Sequence, residues 1–484
     1  MLANHRIHEE SGIAIIDGTM ATGASLQSGI SKRSVPIPAS QLRATAAAVA
    51  ANPNNQATTV TGSNKKYHFV FQTDCKDPTQ DWQGNVLFYH MMKSRQPGNV
   101  TQVVTGCSHG GRKSLLQATH DTLITPMGKW TGAAESRFHL HFAPAHPQQE
   151  AIGGLRKFLK YFNRPYGIQH WMATTMGYSE TQTSTPHDDT VIVIMDPDMI
   201  MLRPFPDELS TKDEKELWYM NLGNAMAQEI MQGHPMAQRR PYPTTWWKGV
   251  DPSNLPATVV EGIARLQQLD TIAVGQHYAA GPPFLAVARD AYSLLRIWNE
   301  ATYPLYKALD EMIIREPHGP YNVAAAALQK PAHLAESFAV SDFRDDGLNL
   351  FKEILKPDRV AANEVPGCRD FPNEIKPHIL QYSKRYAIGD KFIIGKHYVP
   401  MDLIGKNEGC QKPLFMEPPD DIGSQVNYYI DPEIKDTVKI ENAHLVHQMA
   451  FMVCETIHAL NEAAIYYKRN LCQGNSNIEK TRVG

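Results

Sequence analysis

The stretch Thr190–Pro204, TVIVIMDPDMIMLRP, constrains this 484-residue chain more than any other. From Thr190 to Met195 it is β-branched and apolar, and the polar His187, Asp188 and Asp189 precede it. Such a run reads as a strand buried on both faces. It ends in Asp196-Pro197-Asp198. Side chains at i and i+2 of an extended segment point the same way, so both carboxylates can face one ligand. Pro197 between them restricts the backbone. Two hard anionic oxygens at a strand end suit a divalent cation shared with a diphosphate. The bland alternative is that Asp-Pro-Asp only closes the strand, since both residue types favour turns.

The length allows one large domain with additions or two domains. A formal net charge of -3 leaves no electrostatic footprint for nucleic acid. No stretch matches a membrane span, and the N-terminus lacks a charged-then-apolar signal pattern, so a soluble chain is expected. The six cysteines, Cys75, Cys107, Cys368, Cys410, Cys454 and Cys472, are widely spaced without a CxxC pair, which argues against a zinc cage. Their even number permits disulfides in an oxidising compartment. A chain this large does not need them, and buried free thiols are the other reading. Asn99-Val100-Thr101 is a glycosylation sequon.

Residues 1–65 are rich in Ala, Ser, Thr, Asn and Gln without a lasting period and read as a disordered arm or stalk. Order is expected from KYHFVFQT, Lys66 to Thr73, a strand closed by Asp74 and Cys75. Asp77-Pro78-Thr79-Gln80 is a helix start, with Asp77 as cap, Pro78 at the first helical position and Gln80 reaching back. The helix places Trp82, Val86 and Tyr89 on one face, and Asn99–Ser108 is a second strand. This β-α-β opening is the unit of a parallel sheet. Helices are expected over 153–163 and 167–175, before the aspartate strand. A long insertion then runs to about Thr271. Its Trp246 and Trp247 can stack on a sugar or peptide, or pin the loop to the core. Gly281-Pro282-Pro283 reads as a turn, followed by a short strand and a helix begun near Asp290. His378–Pro400 is a strand followed by a basic stretch, and an amphipathic helix closes the chain near 441–468.

Four stretches together resemble the plant and algal hydroxyproline O-arabinosyltransferases and the related peptidyl serine α-galactosyltransferases. They are YHFVFQTDCKDPTQDWQGNVLFYHMMK, SRQPGNVTQVVTGCS, IVIMDPDMIMLRPFP, and GPPFLAVARDAY with HILQYSKRYAIGDKF. The likeness spans roughly Lys66 to Asp402. It implies an α/β GT-A-type fold: a Rossmann-like nucleotide-sugar-binding half, a mixed central sheet with helices on both faces, and a helical C-terminal extension. The domain would cover 66–405 and the extension 406–484. The resemblance further implies a retaining, metal-dependent transferase in the endoplasmic reticulum or Golgi. UDP-arabinofuranose or UDP-galactose would be the donor, and hydroxyproline or serine of extended glycoproteins the acceptor. Its Asp-x-Asp motif would hold Mn²⁺ or Mg²⁺ through Asp196 and Asp198.

Two departures from the family pattern bear on the site. Gln381-Tyr382 stands where the family carries a His-Tyr pair, with His378 three residues earlier. REPHGPYNVAAAA replaces Glu-Met-Tyr-x-Tyr, so Glu316 matches only with a shifted register. Gln381 is therefore expected as the third metal ligand and Glu316 as the catalytic acid beside Asp198. A regular strand would turn His378 away from Gln381. Thr73 and Asp74, at the carboxyl end of the first strand, are expected at the nucleotide, with Arg203 nearby. Trp246, Trp247 and Gly281-Pro282-Pro283 are expected to line the acceptor groove. The competing hypothesis, from another class, is a lectin-like or scaffolding relative without turnover.

Overall fold

A computed structural model describes residues 66–107, 111–129, 135–148, 159–182, 184–205, 230, 232–240, 246–309, 318–335, 338–341, 377–383, 386–388, 392–396, 408–419, 422, 428–430, 437–439, 443–472 and 477–479. The N-terminal arm and Glu316 lie outside the described residues.

The opening strand β1 (Tyr67–Asp74) leads into helix α1 (Pro78–Lys93) through the expected cap. The Asp77 carboxylate accepts from the Thr79 N–H at 3.0 Å. Gln80 donates to Asp77 at 3.0 Å and accepts from the Asp74 N–H at 2.7 Å. Helix start and strand end are thereby tied together, satisfying orphan donors of the first turn. The chain continues through β2 (Asn99–Thr105), α2 (Gly111–Thr119), β3 (Phe138–Ala143), α3 (Leu159–Thr175) and β4 (Val191–Met195). Where two helices were expected over 153–163 and 167–175, the one described helix is α3, and it passes through Pro165.

Strands β1 to β4 are parallel neighbours in the order β3-β2-β1-β4. The chain builds outward from β1 to β3 and then returns to lay β4 on the other side of β1. That reversal is a topological switch point, and it is beyond the carboxyl ends of strands at such a point that open α/β sheets bind their ligands. Beyond β4 the sheet becomes mixed. It adds β7 (Ala280–Val287) antiparallel to β4, then β6 (Met236–Arg239), then β8 (His333–Ala335).

Alternation along the strands decides what covers each face. Phe69, Phe71, Val191, Val193 and Met195 point to one side, against Trp82, Val86 and Phe88 of α1. Val70, Ile192 and Ile194 point to the other, against Trp171 and Met172 of α3 and Trp298 of a later helix, α6 (Ala288–Leu309). Each such side chain gains about 1.5–3 kcal/mol on full burial. Between β6 and α6, α4 (Ala257–Gln268) and α5 (Thr271–His277) pack with α7 (Gly319–Ala327) in a smaller cluster.

A second sheet lies at the end of β4. In it β5 (Met199–Met201) pairs antiparallel with β10 (Ile379–Gln381), which runs parallel to β9 (Ala339–Val340). A hairpin of β11 (Tyr386–Ile388) and β12 (Phe392–Ile394) follows. Helix α8 (Ala443–Leu471) adds Met449, Val453 and Leu460 to the α1 face. His90 donates to the Ala459 carbonyl at 2.9 Å, and Tyr467 to the Asn85 carbonyl at 2.7 Å. Residues 64–484 thus form one compact unit. None of the described helices is long and apolar enough to cross a membrane.

Of the two readings of the cysteines, the described ones follow the disulfide reading: Cys75–Cys107 and Cys410–Cys472 are bonded, and Cys454 is also disulfide-bonded. Cys75 and Cys107 follow the ends of two adjacent parallel strands, which brings their Cα atoms to 5.1 Å. Gly281-Pro282-Pro283 is not a turn but part of the buried strand β7. The β6–β7 register slips there, from Ala237 opposite Phe284 to Gln238 opposite Gly281. The two prolines fall in that bulge, where the ladder needs no N–H from them.

Candidate active site

The switch point is flanked by acids. Asp74 ends β1, and Asp196 and Asp198 follow β4. All three are buried. Burial raises the Asp74 carboxyl above the ordinary range, while the Lys76 N–H and Asn163 oppose that rise. One Asp74 oxygen accepts from the Lys76 N–H and the other from Asn163, each at 2.8 Å. Thr73 is committed to the sheet: its hydroxyl accepts from Gln102 at 2.9 Å and its carbonyl from Thr105 at 3.3 Å. Thr73 and Asp74 thus lie together at the carboxyl end of β1, with Asp74 tied to α3 through Asn163.

At the aspartate pair, the antiparallel register sets Gln381 opposite Met199 and so beside Asp198. The Gln381 amide nitrogen donates to Asp196 Oδ2 at 3.0 Å and to Asp198 Oδ1 at 3.1 Å. Its amide oxygen accepts from Arg240 at 2.7 Å. Arg240 also donates to the Pro282 carbonyl at 3.3 Å and to the Ser341 hydroxyl. Asp196 Oδ1 forms an ion pair with Arg164 of α3, and Asp198 Oδ2 with Lys396 at 3.1 Å. Burial pulls the Lys396 ammonium down, but Asp198 more than offsets it, and the net position lies above the usual lysine range.

Sequence and structure agree in bringing Gln381 to the aspartates. His378 lies elsewhere: its Nδ1 donates to the Pro204 carbonyl at 2.9 Å, and Arg203 donates to its Nε2 at 3.1 Å. Arg203 therefore points its guanidinium at His378. Trp247 is buried with Val250, Val259 and Ile263, so it pins its loop to the core. The Trp246 side chain is outside the described residues. Gly281 and Pro282 are buried in β7 and back Arg240. Arg164, Arg240 and Lys396 were not singled out from the sequence. The basic stretch after β10 held Lys396, but nothing local distinguished it from solvated lysines.

The expected metal can be tested against this donor set. A divalent ion shared by Asp196 and Asp198 needs the oxygens now taken by the Gln381 amide nitrogen. Turning that amide over would set its nitrogen against Arg240, donor against donor. Among the described residues, no group of three His, Cys, Asp or Glu side chains could hold a metal ion. The described residues do not fit the expected Mn²⁺ or Mg²⁺ at Asp196, Asp198 and Gln381.

No family model and no curated protein matches the chain. Solved structures with a likeness include the bifunctional glycosyltransferase WbbM, at 12% identity and TM-score 0.31, over 66% of this chain and 46% of that one. Glycosyltransferase GlyE of Streptococcus pneumoniae is 11% identical with TM-score 0.30, over 70% of this chain and 62% of its own. The galactosyltransferase LgtC, solved with donor and acceptor sugar analogues, is 10% identical with TM-score 0.29, over 66% and 87%. The chain thus spans less than two thirds of the WbbM and GlyE chains. Function has to be read from the residues of the site.

Proposed function

We propose that this chain is a retaining glycosyltransferase, moving arabinofuranose or galactose from a UDP-sugar to hydroxyproline or serine in an extended, cell-wall-type glycoprotein. The observation that carries this reading is the placement of Asp74 on β1 and of the Asp196–Asp198 pair after β4 at the switch point of the sheet. An open α/β sheet binds nucleotides in that position. The four stretches that resemble the arabinosyl- and galactosyltransferases supply the donor and acceptor classes.

In such a transfer the bond from the anomeric carbon to the diphosphate oxygen breaks, and one to the acceptor oxygen forms on the same face. The acceptor's proton passes to the departing diphosphate, and no enzyme nucleophile is needed. The main electrostatic demand is charge building on the leaving group. Arg164, Arg240 and Lys396 gather positive charge at the pair, in a buried setting where it acts strongly. An extended acceptor loses little entropy on binding, because a Pro-rich chain is already stiff. Disulfides at Cys75–Cys107 and Cys410–Cys472 support an oxidising compartment, in keeping with the lumen of the endoplasmic reticulum or Golgi.

The test is a screen of UDP-sugars against hydroxyproline-rich and serine-rich peptides, read as UDP release and peptide mass gain. Release that depends on one donor and one peptide class is the expected result. Binding of sugar or peptide with no release under any pairing would favour a lectin-like protein instead.

A further inference from the structure

We propose that Lys396 and Arg164, together with the Gln381 amide, stand in for a divalent metal at the Asp196–Asp198 pair, so that a nucleoside diphosphate binds there without one. The inference rests on the glycosyltransferase reading above and deepens it.

Four carboxylate oxygens belong to this pair: three accept hydrogen bonds from Gln381 and Lys396, and the fourth, Asp196 Oδ1, meets Arg164 as an ion pair. Arg164 takes Asp196 Oδ1, and Lys396 takes Asp198 Oδ2 at 3.1 Å. The Gln381 nitrogen bridges the remaining two at 3.0 and 3.1 Å, the place a cation shared by both aspartates would occupy. That amide is held in one orientation, because its oxygen accepts from Arg240, a group that can only donate. Arg240 is itself fixed by the Ser341 hydroxyl and the Pro282 carbonyl.

Charge points the same way. Among the described residues, two carboxylates face two cations, and Arg240 adds a third positive charge behind Gln381. A dipositive ion entering between the two carboxylates would meet those cations. A diphosphate arriving there is in the opposite situation. The Lys396 side chain is 17% exposed against 7% for Asp198, so the ammonium is the more accessible partner of that ion pair. It carries three N–H donors, one of which goes to Asp198. Its backbone N–H donates to the Tyr382 carbonyl at 3.2 Å, which anchors it beside the Gln381 strand. Lys396 can therefore hold Asp198 and a phosphate oxygen together, as a shared metal would, but as a point charge.

The experiment is UDP titration calorimetry on the full chain, once with EDTA and once with Mn²⁺, repeated for Lys396→Ala. Expected are affinities for UDP that differ by less than about threefold between the two conditions, and a loss of about 10-fold to 100-fold in Lys396→Ala. Lys396→Arg, which keeps the charge, should recover part of that loss, and melting temperatures check that each variant is folded. UDP binding that vanishes in EDTA and returns with Mn²⁺ overturns the inference and leaves the glycosyltransferase reading standing. Binding insensitive to metal and equally insensitive to Lys396→Ala also overturns it. No UDP binding in either condition overturns both.

Discussion

Gly281→Ala is the sharpest probe of how the aspartate pair is held. A Cβ at Gly281 would run into Arg240 Cγ and crowd its Nε at 2.8 Å and Cδ at 3.2 Å. The obstruction is at the root of the side chain, so Arg240 cannot yield by moving only its tip. Displacing it strips Gln381 Oε1, Ser341 Oγ and the Pro282 carbonyl of their donor. Overpacking a buried site costs about 1–3 kcal/mol. Losing a hydrogen bond to a charged group adds about 1.5–3 kcal/mol. A total of about 3–5 kcal/mol is a large part of the stability of a typical domain, roughly 5–15 kcal/mol. For a unit of roughly 420 residues, about 1 °C per kcal/mol follows from the unfolding entropy per residue, so Tm should fall by about 3–5 °C. UDP affinity should fall as well, since the Gln381 amide then loses the Arg240 donor that fixes its orientation. The control is Arg240→Met, alone and combined with Gly281→Ala, compared by urea unfolding. With a flexible thioether in place of guanidinium, the added methyl has room, and the double variant should be less destabilised than the sum by about 1–3 kcal/mol. Additivity within about 0.5 kcal/mol, or an unchanged Tm for Gly281→Ala, would refute the contact argument.

Other outcomes follow from single side chains. His90 is buried and its pKa is lowered to about 4, chiefly by desolvation. The unfolded chain therefore binds the extra proton between about pH 6.5 and about pH 4, and stability should drop as pH falls through that window, by about 2 kcal/mol at about pH 5. His90→Gln, which can still donate to the Ala459 carbonyl, should flatten the urea-midpoint profile there; an unchanged profile would assign acid lability to other groups. Arg164→Leu leaves the buried Asp196 without its ion-pair partner, so a loss of about 3–5 kcal/mol is expected in chemical unfolding. Trp247→Ala should cost about 3–5 kcal/mol through the cavity it leaves, with acceptor KM unchanged in the surviving folded fraction. A raised KM at unchanged stability would return Trp247 to the acceptor groove.

What could be read in advance was what the chain dictates locally. Val191–Met195 announced a strand buried on both sides because every position in it is apolar, and both faces of that strand are covered. Asp77-Pro78 announced a helix start because its cap chemistry lies within three residues. The position of Gln381 followed from strand alternation and the aligned place of a family histidine. The partners of the aspartates were not legible in this way. Arg164, Arg240 and Lys396 come from three separate elements, and only the strand order and the β5–β10 register bring them together. The cysteine pairing was hidden for the same reason, since Cys75 and Cys107 meet because β1 and β2 are neighbours. Gly281-Pro282-Pro283 carried a true local signal, an interruption of the ladder, but a bulge meets that need as well as a turn does.

Helix α3 ties the acids at the two strand ends to each other. Asn163 holds Asp74 at the end of β1, and the next residue, Arg164, holds Asp196 at the end of β4. Adjacent helical residues point about 100° apart, so one turn of helix can reach two strand ends without a loop between them. The arrangement requires the helix to lie close on the sheet. Gly167 permits this, since a Cβ there would run into Thr105 Cγ2 and Val103 Cγ1 of β2. The spacing of Asp74 and Asp196 is therefore set by a rigid element rather than by loops, as preorganisation of a site requires. The cations are thereby built into the fold: Arg164 sits on the same turn of helix as Asn163. A site wired in this way suits fixed side-chain charges better than an exchangeable ion, because an ion shared by both aspartates would have to displace the Gln381 amide that Arg240 holds in orientation.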